Sequence, residues 1–462
     1  MTFARRDFLL ASAALGFGVV AGPVRAAFPK DADVVVVGAG AAGIAAARRL
    51  AASNVKVAVL EAADRVGGRC QTDLTTFGIP FDRGARWLYS QDSNPVVKLA
   101  RSVSMEIYAT PQSQKIRIGR RNARSGEVED YLATLVRANR AIQDPNRKSD
   151  TAALDALPKD LAAWQQTLAF ALGPLTASKD LQDVSAFDLA RQEPRDAGAF
   201  CRQGLGTLVA KLADSVPVSL STPVTRVAWS GRNLEVETPA GRLTPRAIIV
   251  TASTSVLTSG AIKFVPDLPK RQLDAAGKLS LGSYDHIALE LSGNPLGLQR
   301  DDVIIEQSDS TRTGLLLANV GGSSICLVDV AGSFGRELSK QGSEAMVAFA
   351  IDWLTRLYGS DVKAVLKRRA VTQWNAAPYI GGAMSSAAIG AQGARKILTE
   401  PLGGLYFAGE ATHETQAGTV GGAWDSGERT ADVVLRRLGF IKDTTPEPAP
   451  RKSRRSKAAA PS

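Results

Sequence analysis

After its first 26 residues, the sequence alternates short apolar runs with a stretch of small residues. Residues 33–37 and 55–60 are rich in valine, a composition typical of strands that are buried on both faces of a sheet. Between them, a turn containing glycine at residues 38–43 leads into an alanine-rich segment, which predicts a helix from about residue 41 to 53. The order strand, helix, strand predicts a βαβ unit.

The rest of the chain divides into a mixed region, a strand-rich region and a second mixed region. Residues 96–200 become increasingly helical, with an amphipathic stretch near residues 161–172. Further strands are predicted at 224–229, 233–237, 247–251, 287–291 and 404–409, and further helices at about 343–358 and 419–438. Residues 441–462 are rich in Pro, Ala, Ser, Arg and Lys, which predicts a disordered basic tail.

The first 26 residues have the pattern of an export signal. Arg5 and Arg6 precede an apolar run from residue 8 to about 20, and small residues follow near Ala26. This twin-arginine pattern predicts cleavage and export to the periplasm by the twin-arginine machinery, which carries proteins that are already folded. A membrane anchor is the alternative, but the run is shorter than the roughly 20 residues needed to span a bilayer.

The composition excludes several classes of function. The formal net charge is +11, but more than half of this excess lies in residues 1–26 and 441–462. No basic face is interleaved with aromatic residues, so we predict no nucleic-acid partner. The 3 cysteines lie far apart without a C-x-x-C pair, and His286 and His413 are the only 2 histidines. We therefore predict no metal site and no Ser-His-Asp hydrolase.

The turn after the first strand fits the pattern G-x-G-x-x-G. Gly38 allows a tight turn, Gly40 lets the backbone approach a pyrophosphate, and Gly43 permits close packing of helix on strand. Ala41 and Ala42 then form the helix N-terminus, where free N–H groups and the helix dipole favour the phosphates of a dinucleotide. The pattern is weak alone, but here a strand precedes it and a helix follows.

The residues after the second strand indicate which dinucleotide is bound. Glu61, followed by Ala62, closes that strand and is placed to accept hydrogen bonds from ribose hydroxyls. The run that continues through Gly68 to Arg69 resembles the extension found in FAD-binding amine oxidases and their relatives, in which a second glycine turn and an arginine extend the phosphate site. The resemblance implies FAD as the cofactor.

This resemblance to the flavin-containing amine oxidase family extends over nearly the whole chain. It implies that residues 82–87 pass beside the isoalloxazine ring, that the backbone of Val224 binds at the adenine end, and that Glu410 binds polar groups of the ribityl or phosphate side. It also implies that the helix beginning at Thr419 and Val420 points at the flavin pyrimidine edge. The cofactor-binding residues implied in these segments are Gly84, Ala85, Arg86, Trp87, Val224, Gly409, Glu410, Thr419 and Val420.

Several positions depart from the family pattern. His286 stands where many amine oxidases have a lysine that holds a water next to flavin N5, and we expect the imidazole to keep this part, with a merely satisfied histidine as the alternative. Trp374 is expected to pack on the flavin. Met384 and Thr419 take the places of the two aromatic walls that position the amine. Ala383 replaces the cysteine to which some monoamine oxidases attach flavin, which predicts noncovalent FAD.

The substrate class is read from the segment around Trp87. Amino acid oxidases of this superfamily often have an arginine there that binds the substrate carboxylate. Trp87 occupies that place and Arg86 is one residue away, and successive residues of an extended segment point to opposite sides. We therefore expect an amine without an α-carboxylate.

The resemblance implies an α/β fold with a discontinuous Rossmann-like FAD-binding domain (residues 27–95, 200–260 and 385–440) and a mixed α+β substrate domain (residues 96–199 and 261–384). It implies an FAD-dependent oxidase that transfers hydride from the carbon next to an amine nitrogen to flavin N5. Dioxygen is the expected acceptor, giving an imine, then a carbonyl compound, and hydrogen peroxide. The alternatives are an amino acid oxidase, a C–C desaturase or dehydrogenase of the same superfamily, and a flavin-loaded protein without turnover. The oligomeric state is left open.

Overall fold

A computed structural model describes residues 28, 31–111, 114–195, 198–231, 233–359 and 361–442. The predicted export signal (residues 1–26) and residues 443–462 of the predicted tail lie outside the described residues. Among the helices that are described, none is both long and apolar enough to cross a lipid bilayer.

A five-stranded parallel sheet forms the centre of the nucleotide side. Its strands, in spatial order, are Val218–Ser219, Val57–Leu60, Val34–Val37, Ala247–Val250 and Leu405–Phe407. Every neighbouring pair runs parallel. The first two predicted strands and the helix between them, Ala41–Ala51, are confirmed within a few residues at each end.

The alternation of side chains along the first strand explains how this sheet is covered. Val34 and Val36 face a core formed with helices Ala41–Ala51, Leu205–Ala213 and Val420–Arg437. Val35 and Val37 point to the opposite core, which includes a four-stranded sheet of Gly241–Leu243, Glu235–Thr238, Arg226–Ala228 and Lys263–Val265. The predicted valine run is therefore buried on both faces, as expected for a parallel sheet.

A seven-stranded sheet forms the second half of the molecule. Its strands, in spatial order, are Leu366–Val371, Tyr284–Leu291, Ile325–Ala331, Leu315–Leu317, Val303–Glu306, Gln114–Ile118 and Arg121–Asn122. Helices Gly332–Lys340 and Ser343–Tyr358 cover one of its faces with an apolar core. The strand Tyr284–Leu291 lies one place from the edge and carries the predicted site residue His286.

The remaining elements connect these two halves. Small sheets pair Thr72–Asp73 with Phe81–Asp82, and Gly198–Cys201 with Leu88–Tyr89 and Ile107–Ala109. The other α-helices are Pro95–Ala100, Ser125–Ile142, Ala153–Ala156, Gln165–Leu172, Pro174–Ala177, Ala186–Arg191, Thr254–Ser259, Lys270–Lys278, Val362–Val365 and Ala394–Leu398. Short 3-10 helices are Arg101–Val103, Ala162–Trp164, Leu181–Asp183, Val320–Gly322 and Glu410–Thr412.

One segment packs differently from its predicted place. Residues 262–279 were expected in the substrate domain, but Lys263–Val265 pairs in parallel with Arg226–Ala228. Phe264 and Leu279 are buried in the core beneath the five-stranded sheet. The apolar residues of this segment therefore stabilise the nucleotide side. The predicted α/β fold class is confirmed, while the full division into two domains stays a prediction.

Candidate active site

The first glycine turn has a separate steric reason for each glycine. Gly38 has a φ of +103°, and Gly43 lies so close to it that an added Cβ would stand 2.0 Å from the Gly38 carbonyl oxygen. At Gly40, by contrast, an added Cβ would meet nothing within 4 Å. Gly40 therefore borders open space, where a pyrophosphate can approach the backbone.

A second glycine turn lies against the first. The N–H of Gly67 donates to the Ala39 carbonyl at 2.8 Å, and Gly40 and Gly67 form an isolated parallel bridge. The Arg65 guanidinium fastens this second turn by donating to the Gly68 carbonyl at 2.8 Å. Arg65 belongs to the run that carries the family resemblance, but the sequence did not show that its side chain turns back onto its own loop.

Glu61 is buried and is clamped to the first turn. Its carboxylate accepts from the N–H of Ala39 at 2.6 Å and from the N–H of Ala63 at 2.8 Å. Burial raises the pKa of Glu61, although these backbone hydrogen bonds oppose the rise. A carboxylate has about four acceptor positions, so two remain for ribose hydroxyls. Thr222, two residues before Val224, donates its N–H to the Glu61 carbonyl, so both predicted residues lie at one end of the site.

Arg69 and Glu410 form a partly buried ion pair. Arg69 Nη1 lies 2.9 Å from Glu410 Oε1 and also donates to the Ala383 carbonyl. Glu410 Oε2 accepts from the Ser385 hydroxyl at 2.7 Å and from the Gly418 N–H at 2.8 Å. Because a buried carboxylate must be compensated, the protein uses both oxygens of Glu410 to join three segments, while its expected part in binding the cofactor stays a prediction.

The pKa of Glu410 follows from these contacts. Burial alone would raise the pKa, but the charge of Arg69 and the hydrogen bond from Ser385 hold it below its ordinary value. Glu410 is therefore ionised at neutral pH.

Two helices, Ala41–Ala51 and Val420–Arg437, pack against each other at this site. Helix Ala41–Ala51 begins at Gly40, and helix Val420–Arg437 packs so tightly against it that a Cβ on Gly427 would stand 2.1 Å from the Ala42 carbonyl oxygen. Neither first turn contains an acidic residue. Both N-termini therefore offer N–H groups and a positive dipole end to an anion.

The segment around Gly84 is held against Trp374. A Cβ on Gly84 would stand 2.8 Å from the Trp374 ring. The indole N–H donates to the Arg83 carbonyl at 2.9 Å, and the Ala85 N–H donates to the Arg69 carbonyl at 3.0 Å. The structure therefore brings together Arg69, Gly84, Ala85 and Trp374, which were predicted from separate parts of the sequence.

His286 is buried, and both of its ring nitrogens have protein partners. Nδ1 lies 2.6 Å from Asp329 Oδ1, and Nε2 lies 2.9 Å from the Gly84 carbonyl oxygen. A carboxylate and a carbonyl only accept hydrogen bonds, so both contacts are satisfied by a protonated imidazole. Burial lowers the pKa of His286, but the charge of Asp329 and the hydrogen bonds to Asp329 and Gly84 together outweigh burial and raise the pKa overall.

This arrangement corrects the expected part of His286. With both nitrogens bonded to protein, the ring has no position left with which to hold a water beside a flavin. Instead, the ring fixes the Gly84 carbonyl, and therefore the segment that the family resemblance places beside the isoalloxazine ring.

A small, partly open cleft lies at the beginning of the last helix. Thr419 lines it, but its hydroxyl caps the helix by accepting from the Gly422 N–H at 2.9 Å. Met384 packs against Gly418, the residue before Thr419, so these two predicted walls lie close together. The residues that line the cleft include Trp87, Tyr89, Glu193, Arg195 and Gln416.

Arg195 is a residue that the sequence analysis missed. Its Nη1 lies 3.9 Å from Met384 Sδ, and its guanidinium carbon lies 5.6 Å from the centre of the Tyr89 ring. No motif surrounds Arg195 in the sequence, and its neighbours here come from distant segments. Only the fold brings it to the cleft.

Arg86 packs on the aromatic ring of Phe200. The residue is 7% exposed, its guanidinium carbon lies 5.2 Å from the centre of the Phe200 ring, and its Nη1 is buried without a hydrogen-bond partner in the described part of the chain. Trp87 also packs on Phe200, at 4.7 Å between ring centres, and stacks on Tyr89 at 6.1 Å. Arg86 and Trp87, although successive in the chain, therefore both contact Phe200.

These residues fit an FAD molecule. Open space lies above Gly40, and a Cβ on Gly409, which has a φ of +143°, would also meet nothing within 4 Å. The first turns of the two helices contain no acidic residue, so their N–H groups can bind a pyrophosphate. The Glu61 carboxylate can bind a ribose.

The chain is similar to curated proteins that oxidise polyamines. It is 27% identical over 439 residues to polyamine oxidase 5 of Oryza sativa subsp. japonica, and 25% identical over 447 residues to the probable polyamine oxidase 4 of Arabidopsis thaliana. Each comparison covers 88% of both chains.

Solved structures show the same fold. Putrescine oxidase bound to putrescine matches with a TM-score of 0.76 and 19% identity, over 88% of this chain and 99% of that one. Cyclohexylamine oxidase from Brevibacterium oxydans IH-35A matches with a TM-score of 0.75 and 19% identity, over 88% of this chain and all (100%) of that one. The model of the flavin-containing amine oxidoreductases matches residues 41–435. The chain therefore belongs to the flavin-containing amine oxidoreductase family, and is an FAD-dependent amine oxidoreductase.

Proposed function

We propose that this protein oxidises a small-molecule amine at the carbon next to nitrogen, with noncovalent FAD as the cofactor and dioxygen as the electron acceptor. The observation that carries the proposal is the convergence of Arg69, Gly84 and Trp374 beside the second glycine turn, within a chain that matches the family over residues 41–435. Bound FAD supplies the hydride acceptor.

Trp374 and His286 position the segment that would lie beside the flavin ring. Trp374 packs on Gly84 and holds the Arg83 carbonyl, while His286 holds the Gly84 carbonyl. Three contacts, made by one strand residue and one loop residue, therefore fix a stretch that has no regular secondary structure. Preorganisation of this kind keeps the reacting atoms aligned and limits the entry of water.

The N-terminus of helix Val420–Arg437 stabilises negative charge. The Thr419 hydroxyl accepts a hydrogen bond only from the N–H of Gly422. The N–H groups of Val420 and Gly421 therefore remain directed out of the helix end. A positive dipole end favours an anion that develops near it, and such electrostatic stabilisation is a large contribution in many enzymes. No general base is required if the amine enters uncharged.

The cysteines of the chain are poorly suited to a covalent link to the cofactor. Ala383 stands where some monoamine oxidases have a cysteine. All 3 cysteines are buried, and burial raises the pKa of Cys70, which follows Arg69, to about 12. A buried thiol of this kind carries almost no thiolate at neutral pH. Acid precipitation should therefore release all of the yellow colour into the supernatant.

The activity is tested by mixing the yellow protein anaerobically with mono-, di- and polyamines, amino acids and cyclic amines. We expect one class to bleach the flavin, and air to restore the colour with release of hydrogen peroxide. Slow reoxidation by air would favour a dehydrogenase that passes electrons to a carrier. Bleaching by none of the amines would reject the proposal and favour a C–C substrate or a protein without turnover.

We further propose export to the periplasm by the twin-arginine machinery. The support is the Arg5-Arg6 pair, the apolar run that follows it and the small residues before Ala27. Replacing both arginines with lysine should leave the uncleaved protein in the cytoplasm. An unchanged distribution would reject export by this route.

A further inference from the structure

The cleft contains a positive charge without a carboxylate partner. Arg195 donates to the Thr176 carbonyl at 2.7 Å and to the Ala417 carbonyl at 2.6 Å. Within the described ranges it forms no ion pair. Burial lowers the pKa of Arg195, yet a guanidinium stays protonated in proteins. A partly buried charge held only by neutral groups is poorly compensated.

A second uncompensated cation lies behind the aromatic side of the same region. Arg86 is buried against Phe200, and its Nη1 has no partner among the residues described. Burial and Asp329 raise the pKa of Tyr284, and Asp329 raises that of His286, while the positive charge of Arg86 acts to lower both. The positive charges of Arg86 and Arg195 therefore both act on the region between Tyr89 and Tyr284.

The nearby carboxylates are already engaged by other residues. Asp329 accepts from the Tyr284 hydroxyl at 2.7 Å and pairs with His286. Glu410 pairs with Arg69. Glu193 lines the mouth of the cleft, but it is exposed, and its two oxygens accept from Thr415 and Gln416. Of the two charged residues that line the cleft, Glu193 lies at its exposed mouth, so the less exposed charge is the positive one of Arg195.

This charge is unfavourable for a polyamine, whose second nitrogen is cationic, and favourable for a substrate that carries an anion. We propose that the amine substrate carries a carboxylate or a similar anionic group, and that Arg195, between Tyr89 and Met384, binds this group. The guanidinium suits this part because it is anchored by two carbonyls, faces the cleft and offers further N–H donors in a planar fork. The inference rests on the proposed amine oxidation at this site, and it revises the expectation of an amine without a carboxylate.

The first test measures binding without turnover. Benzoate and benzylamine are titrated separately into the yellow protein, and the change in flavin absorbance gives a dissociation constant. We expect benzoate to bind and Arg195→Met to raise its dissociation constant about tenfold to hundredfold, as for the loss of charged hydrogen bonds. Arg195→Lys keeps the charge but loses the fork, so an intermediate value is expected. Arg191→Met removes an exposed arginine four residues away and should change nothing.

The second test compares substrates that differ only by a carboxylate, namely ornithine with putrescine and phenylalanine with phenylethylamine. We expect the amino acid of a pair to bleach the flavin at lower concentration, and Arg195→Met to remove this preference. Preference for the decarboxylated amines, or equal effects of Arg195→Met and Arg191→Met on benzoate, would overturn the inference while the proposed oxidation stands. If no amine of either kind bleaches the flavin, the proposed function fails, and the benzoate titration still decides whether Arg195 binds an anion.

Discussion

The cofactor cradle of this protein is formed mainly by backbone groups, whereas its proposed substrate face is formed by side chains. The cradle, by which we mean residues 38–43, 65–69 and 419–422, consists of glycine turns and helix N-termini, and most of its groups are backbone. The substrate face, by which we mean Arg86, Tyr89, Arg195, Tyr284 and Met384, consists of large side chains from distant segments. Backbone shape is encoded locally, whereas the face exists only once the chain has folded. The cofactor can therefore be read from short motifs, and the substrate cannot.

The largest expected effect is a loss of stability on replacing Gly43 of the cradle, which distinguishes it from Gly40. Gly43→Ala places a Cβ 2.0 Å from a backbone oxygen, so the helix or the turn must move. We expect a destabilisation of about 3 kcal/mol, at the upper end for overpacked sites. The melting temperature of the protein stripped of FAD measures it.

Gly40→Ala is the matched variant. Gly40 has a φ of −75°, which alanine adopts readily, and its Cβ would point into open space. We expect an unchanged melting temperature without FAD, but a dissociation constant for FAD that is more than about tenfold higher, because the methyl occupies the approach of the pyrophosphate. Equal losses of stability in both variants would contradict the assignment of Gly40 to the ligand and Gly43 to packing.

The next effect tests the ion pair that joins the cradle to the rest of the site. Glu410→Ala leaves Arg69 without its partner and removes the acceptor of Ser385 and Gly418. We expect a loss of about 3 kcal/mol in the free energy of unfolding, measured by denaturant titration. Glu400→Ala, which breaks the exposed pair with Arg271, is the control and should have a much smaller effect. Similar losses in the two variants would mean that Glu410 is not a central link.

The smallest effect concerns His286 and the pH dependence of stability. The folded-state pKa of His286 is raised, so protonation stabilises the folded state. This contribution is complete below the unfolded pKa of about 6.5 and is lost as the pH rises through the folded pKa. The free energy of unfolding, measured from about pH 5.5 to about pH 9, should fall on the alkaline side in the wild type.

His286→Gln should remove this part of the fall at a cost of about 1–3 kcal/mol at the acid end. His413→Gln replaces the other histidine and should keep the fall. An alkaline loss of stability that persists unchanged in His286→Gln would show that the ring is not the titrating group.

Much of the fold follows from the sequence, because the decisive signals are local. The valine run of the first strand, the glycine turn and the alanine-rich helix each specify their own conformation, and all three lie as predicted. Residues 262–279 were placed in the wrong half, because the pairing of Lys263–Val265 with Arg226–Ala228 is a contact across distant sequence. Local patterns predict a strand, but they do not predict its neighbour.

The site could be predicted only in part, because some of its contacts join residues that are remote in sequence. Arg69, Gly84 and Trp374 were found through motifs, and the structure brings them together. Glu410 and His286 were found as residues, but their partners were not, since Ser385 and Asp329 are remote in sequence. Arg195 gave no signal at all. Its importance comes from the absence of a carboxylate beside it in the described structure, which a sequence does not display.

Cleavage of the C–H bond next to the amine nitrogen is the central step of the proposed reaction. The most direct measurement is a single turnover without oxygen, in which the flavin colour is followed with an amine and with the same amine carrying deuterium at that carbon. We predict that both compounds bleach the flavin and that the deuterated one does so more slowly. Equal rates for the two compounds, or no bleaching by any amine, would contradict the account.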